Sequence, residues 1–332
     1  MADIKEEKVE VSITENNEDP KLAESLDTVE LNEPETLDSF SKKIEESRQE
    51  FFAVYKKQRR WSNILMPVVS AAMVASIVLF VGVNALWGKI TGGCVIGAAF
   101  IGMVVFYIVT RNKLPNKSKD YIRNFALVSD NYVFSGHEIK NASVSLKKRY
   151  AISEFLPDRV YKDIADIASR NIVKFDYKDH HVTCGELALY KRGARRNQKP
   201  ILFIGKYLNF TNDFHFEDRY IVTIKGEKDV DLPTDIDDLV ILKEQNRFVV
   251  YGKEGADVEK DLGKDLLNDL KSIDCRNCLY NVNIVIWAGR TAAYLSFDDS
   301  ICAIPLDKEL DAKSYQQLKK NVGEVLQIFF AK

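Results

Sequence analysis

Two apolar stretches, Ile64 to Trp87 and Ile90 to Thr110, lie almost back to back in this 332-residue chain, with Lys and Arg on both outer flanks. A bilayer core of about 30 Å needs about 20 helical residues, because backbone amides in lipid must be satisfied within their own segment. Each stretch reaches that length, so the pattern predicts a transmembrane helical hairpin. Lys56, Lys57, Arg59 and Arg60 precede the first run, and Arg111, Lys113, Lys117 and Lys119 follow the second. The turn around Gly88, Lys89, Gly92 and Gly93 carries one Lys. Short cytoplasmic flanks hold the excess of positive charge, which predicts a two-pass topology with both termini cytoplasmic. A cleaved signal peptide fits poorly, since the first run starts past residue 60 behind an acidic segment and is longer than a signal core. Buried core helices fit poorly too, because neither run has a consistent polar face.

Within the second run, Gly93 and Gly97 form a G-x-x-x-G step and Gly102 adds a small residue nearby, a pattern that lets helix backbones approach closely. The expected partner is the first run through Ala71, Ala75 or Gly82, with a homodimer through the same face as the alternative. No Asp, Glu, Lys, Arg or His lies inside either run. Such groups are the usual marks of ion and proton pathways, so the pattern argues against a transporter or channel.

Ahead of the hairpin, Met1 to Asp38 holds thirteen Asp and Glu against three Lys and no aromatic residue. That composition buries too little apolar surface to offset the entropy of ordering and predicts a disordered acidic tail over 1–38. From Ser39 to about residue 62, Phe40, Ile44, Phe51, Phe52 and Tyr55 recur at mostly helical spacing among charged residues, which predicts a juxtamembrane amphipathic helix. That helix has three readings: a sheath on the inner leaflet, a short coiled coil, or a plain extension of the first span.

The region 119–332 is large enough for one substantial core. It contains short β-branched and aromatic runs bounded by turn residues, among them Asn171 to Tyr177, Val182 to Tyr190, Pro200 to Lys206, Arg219 to Lys225, Arg247 to Gly252, Tyr280 to Trp287 and Thr291 to Phe297. Helical spacing marks three further segments: Val160, Ile164 and Ile167; Val258, Leu262, Leu266 and Leu270; and Tyr315 through Phe329. Strands come in runs, so the predicted fold class is α+β: the transmembrane hairpin followed by a cytosolic, largely antiparallel mixed domain.

The order of pieces, with His181-Val-Thr-Cys-Gly-Glu-Leu-Ala-Leu-Tyr190, Leu202-Phe-Ile-Gly-Lys-Tyr-Leu-Asn-Phe210 and Arg247-Phe-Val-Val-Tyr-Gly-Lys-Glu254, resembles the bacterial domain-of-unknown-function 3137 family from about Ser39 onward. The resemblance implies an uncharacterised membrane-anchored module at the bacterial inner membrane. It carries no functional residues over to this chain.

Four side chains are candidates for a metal: Cys275 and Cys278 at two-residue spacing, with His181 and Cys184 as further tetrahedral ligands for a structural zinc. A thiol-disulfide pair or plain packing of free cysteines fits the same residues. Asp179-His180-His181 lacks the further Asp and His ligands that a two-metal phosphoesterase needs, and reads as a solvated turn. No Walker loop, G-x-S-x-G elbow or dinucleotide fingerprint is present. The loop 191–199 carries Lys191, Arg192, Arg195, Arg196 and Lys199 and is a candidate for binding lipid headgroups or the acidic tail. Nucleic acid fits less well, since no aromatic residue interleaves with these charges and the formal net charge is −2.

These features predict a membrane-anchored tethering module without a cofactor, whose partners are the lipid bilayer and a protein at the inner membrane. An anchored hydrolase with an unrecognised site is the alternative, and a structural spacer in a larger membrane complex a third.

Overall fold

Residues 37 onward build two long helices because apolar side chains recur every three or four positions and Thr36 starts the run, its hydroxyl accepting the Ser39 amide at 3.2 Å. In the computed structural model, which describes residues 27–28, 34–82, 86–145, 148–191, 200–226, 232–275, 279–297, 306 and 308–330, helix α1 spans Leu37–Gly82 and α2 spans Leu86–Phe134. They lie antiparallel. The stacked rings of Phe40 on Tyr132 (4.3 Å) and of Phe51 on Tyr121 (5.1 Å) set their register.

Among the described residues no helix is long and apolar enough to cross a membrane. This overturns the predicted transmembrane hairpin and, with it, the two-pass inner-membrane placement. The physical reason is where the chain turns. Helix α1 ends at Gly82 and Trp87 belongs to α2, so the two runs are the outer parts of longer helices that also carry Pro67, Ser70, Ser76, Lys89 and Thr91. Their inner parts belong to the main core, where Phe40, Ile44, Phe125, Val133 and Phe134 pack with sheet residues. The segment read as a juxtamembrane helix is thus the first half of α1, and its apolar stripe faces α2 and the last helix rather than a leaflet.

Among the described residues one ten-stranded sheet forms the body. Its strands are β1 (Asp27–Thr28), β2 (Ile139–Ser145), β3 (Ile164–Tyr177), β4 (His180–Lys191), β5 (Ile201–Thr211), β6 (Tyr220–Lys225), β7 (Val240–Gln245), β8 (Phe248–Gly252), β9 (Leu279–Trp287) and β10 (Arg290–Phe297). The order across the sheet is β1-β2-β3-β4-β5-β10-β9-β6-β8-β7, and every neighbouring pair is antiparallel. Alternation assigns the faces. Val282, Ile284 and Ile286 of β9 face the helices, while Val285 faces a second cluster with Tyr161, Phe203 and Tyr294. Helices α3 (Val258–Leu262), α4 (Lys264–Lys271) and α5 (Ala312–Phe330) cover the first face.

Three departures from the sequence reading have local causes. The Val160, Ile164 and Ile167 pattern is not helical: Val160 precedes the strand, its carbonyl accepting the Thr234 and Asp235 amides, and Ile164 opens β3, where Ile164 and Ile167 pair with Lys191 and Leu189 of β4. The run Val258 to Leu270 is two helices, because Gly263 adopts φ +81° between them. Asp27 and Thr28, read as tail, form a strand on the edge of β2, and the residues before 27 lie outside the described residues.

Candidate functional site

The outer part of the hairpin presents most of the large exposed apolar side chains among the described residues, including Ile64, Val68, Val78 and Phe100. Val81 and Trp87, at the tip, are 74% and 79% exposed. Exposed apolar side chains concentrated in this way mark an interaction site, since water is a poor partner for them. At its base, Lys56, Lys57 and Arg60 of α1 are exposed. In the sequence, Arg111, Lys113 and Lys117 follow the second apolar run. An apolar tip above a basic collar is the charge pattern of a protein that meets anionic headgroups.

The hairpin is tied to the sheet by a buried ion pair. The Nζ of Lys206 on β5 donates to Asp130 Oδ1 on α2 at 3.1 Å, and both side chains are buried. Lys206 shares the inward face of β5 with Leu208 and Phe210, which is why a lysine there needs a counter-charge. A cavity of about 10 Å³ adjoins the pair, lined by Ser129, Asp130, Glu186, Lys206, Phe297 and Tyr315. Among the described residues, Asp130 Oδ2 and Ser129 Oγ have no hydrogen-bond partner. Burial pushes the Asp130 carboxyl up to about 6, against the pull of Lys206 and with added repulsion from Glu186. Lys206 in turn is raised by Asp130 despite its own burial, so it stays charged. Glu186 is held on its other side by Arg170 and by Asn171 Nδ2 at 3.0 Å.

The opposite face has its own polar centre. Asp158, buried at the end of a 3₁₀ turn, accepts from Tyr294 Oη at 2.6 Å and Tyr207 Oη at 3.1 Å and pairs with Arg290 at 2.7 Å. Burial raises its pKa while Arg290 and the hydroxyls pull it down. With each hydrogen bond directed at one carboxylate, this cluster pins the 152–158 segment to β5 and β10.

A cleft of about 280 Å³ opens where α4 and α5 end over the β4 and β5 strands. Leu262, Leu266, Phe214 and Phe329 make it apolar, and Lys178, His180, Asp213 and Asp269 stand among the lining residues. Lys178 Nζ donates to the Phe330 carbonyl at 2.7 Å, and the His180 ring lies 4.5 Å from that of Phe330.

The predicted zinc ligands do not converge. Cys184 is buried on β4, its thiol pushed up to about 12 by burial, whereas His181 points outward and bonds Asp176. Cys275 is buried elsewhere, with its Sγ 3.7 Å from the Ile224 carbonyl, and Cys278 lies outside the described residues. Among the described residues no group of three or more His, Cys, Asp or Glu side chains is placed to hold a metal. Lys191 pairs with Asp163 at 3.2 Å, and Arg192, Arg195, Arg196 and Lys199 lie outside the described residues. Gly93, Gly97 and Gly102 face open space rather than α1.

The sequence reading missed Asp130, Lys206 and Asp158. For Lys206 a signal existed, a single charge at an inward position of an otherwise apolar strand. For Asp130 and Asp158 none did, because their partners are 76 and 136 positions away in sequence.

The fold and the site together define a helical hairpin packed on a large antiparallel sheet. No protein-family model matches the chain, and no curated protein matches it significantly. Among solved structures it is similar to the crystal structure of the mycobacterial trehalose monomycolate transport factor A, TtfA, with 12% identity, a TM-score of 0.30 and coverage of 59% of this chain and 88% of that chain. A likeness of that size assigns no function.

Proposed function

We propose that this protein is a lipid-surface docking module: the outer part of the α1–α2 hairpin rests on an anionic bilayer surface and the sheet body is held there to bind a protein partner. The observation that carries this reading is the exposed apolar outer part of the hairpin, with Lys56, Lys57 and Arg60 exposed at its base. Apolar surface contributes about 25 cal/mol per Å² removed from water, and each Lys or Arg near anionic lipid adds about 1 kcal/mol. Holding the sheet body at a surface raises its effective concentration for partners already there. No covalent chemistry is required.

Vesicle co-sedimentation tests it. The full chain is expected to pellet with phosphatidylglycerol-containing vesicles and less with pure phosphatidylcholine. The triple variant K56E/K57E/R60E should bind the anionic vesicles about 100-fold more weakly, three lost contacts at about 1 kcal/mol each. Val81→Asp with Trp87→Asp should weaken binding to both compositions. A wild-type chain that stays in the supernatant with both compositions would refute the proposal.

A further inference from the structure

The joint between α2 and the sheet is closed and polar. The side chains of Asp130 and Lys206 are 2% and 4% exposed, and the hydrogen bond between them uses Asp130 Oδ1. Asp130 Oδ2 and Ser129 Oγ are buried beside it with no partner among the described residues. Ser41 and Ser76, inside α1, return their hydroxyls to the carbonyls four residues back, Leu37 at 2.8 Å and Ala72 at 2.6 Å. That local bond is open to any helical serine. Ser129, inside α2, does not make it.

A buried polar atom left unpaired bears the full cost of its lost hydration, so the space next to these two atoms matters. It is the cavity of about 10 Å³ that both residues line, with Glu186 of β4, Lys206 of β5, Phe297 of β10 and Tyr315 of α5. That is room for one water molecule and for no organic ligand. Charge argues against an ion. The two carboxylates, Asp130 and Glu186, are matched by two cations, Lys206 and the Arg170 that pairs with Glu186. A further ion would leave a net charge in the interior, whereas a neutral dipole leaves none. Water also fits the donor pattern, since Asp130 Oδ2 needs a donor and Ser129 has a hydroxyl proton to give.

We propose that this joint is a binding site for a single water molecule, which donates to Asp130 Oδ2, accepts from Ser129 Oγ and has the Glu186 carboxylate as acceptor for its second hydrogen. The two Glu186 oxygens already accept from Arg170 and Asn171, and a carboxylate has lone pairs left for a third donor. The water extends the Lys206–Asp130 pair into a network that joins α2 to β4 and β5. Its hydrogen bond favours the charged form of Asp130 over the neutral acid, which preserves the ion pair that holds the hairpin to the sheet.

The test uses the full chain. A crystal structure at about 1.5 Å should show one ordered oxygen within about 3.2 Å of both Asp130 Oδ2 and Ser129 Oγ. Ser129→Val removes the hydroxyl and fills the cavity with a methyl group. Magnetic relaxation dispersion of the solvent, which counts long-lived internal waters, should find one fewer in that variant. Asp130 should also become about a ten-fold weaker acid there, read as an upward shift of about one pH unit in the titration of its carboxyl carbon. A wild-type crystal structure with Asp130 Oδ2 and Ser129 Oγ ordered and no density between them would overturn the proposal. So would an equal count of internal waters in the two chains, or an unchanged Asp130 titration. Density ringed by oxygens at about 2.3–2.6 Å would be a metal ion and would overturn the choice of water. If Ser129→Val does not fold, the wild-type crystal structure decides alone.

Discussion

Gly205→Ala is expected to cost about 4 kcal/mol or more of stability, in the range reserved for specific steric failures. A Cβ built on Gly205 would sit 1.9 Å from the Leu295 carbonyl oxygen, a backbone atom of β10 hydrogen-bonded in the sheet. Relief requires β5 and β10 to separate, and β5 is clamped on its other side by β4. The Phe203 ring, 3.0 Å from the same point, closes the remaining space. Gly185→Ala is the control. There the added carbon meets the ring edge of Tyr150 at 2.9 Å, a side chain rather than a strand backbone, so a smaller loss is expected. Urea unfolding of both variants checks this, and a Gly205→Ala chain with the wild-type midpoint would show that the two strands do not approach so closely.

Lys206→Met should be the second large loss, about 3–5 kcal/mol, because it strands the Asp130 carboxylate in the interior. The double variant Lys206→Met with Asp130→Leu should recover most of that loss, since an apolar pair of similar volume avoids desolvating either charge. The pH dependence gives an independent check. The folded-state pKa of Asp130 is raised from the ordinary 3.8 to about 6, so between those values the folded state holds a proton that the unfolded state has released. The contribution of this group to stability therefore grows as pH falls from about 6 towards 4 and is constant below both values. Asp130→Asn should remove that part of the slope. A Lys206→Met variant as stable as the wild type at pH 7 would mean the pair does not hold the hairpin to the sheet.

Much of the sheet was legible from short-range chemistry. The run Arg219 to Lys225 became β6, Arg247 to Gly252 became β8, and Thr291 to Phe297 lies in β10. In each, β-branched and aromatic side chains fit a pleated surface with water excluded. The turns were written in the same way, as at Lys178 and Asp179, which take φ of 47° and 68° between β3 and β4. Spacing misled where two periods overlap. Val160, Ile164 and Ile167 satisfy helical spacing, yet pairing of Ile164 and Ile167 with β4 outweighed it because ladder bonds and cross-strand contacts are available only in the sheet. The apolar runs misled differently. Hydropathy counts residues along the chain and cannot see that α1 begins and α2 ends deep in the core, among Phe40, Phe125 and Tyr315.

The candidate site was only partly legible. The basic collar at Lys56, Lys57 and Arg60 and the apolar tip are contiguous in sequence and could be read there. The outward turn of His181 depended on which face of β4 met the helices, and the separation of Cys184 from Cys275, which lies by Ile224 of β6, on the strand order.

The sequence by itself determined the local elements and the charge pattern of this protein, because backbone propensity, turn chemistry and apolar periodicity act over a few residues. Only the tertiary structure decided that Lys206 meets Asp130, that Asp158 gathers Tyr207, Tyr294 and Arg290, and that Asp27 and Thr28 close the edge of β2. Those contacts join residues far apart in the chain, and their energies exist only once the sheet has ordered its strands and excluded water from between them.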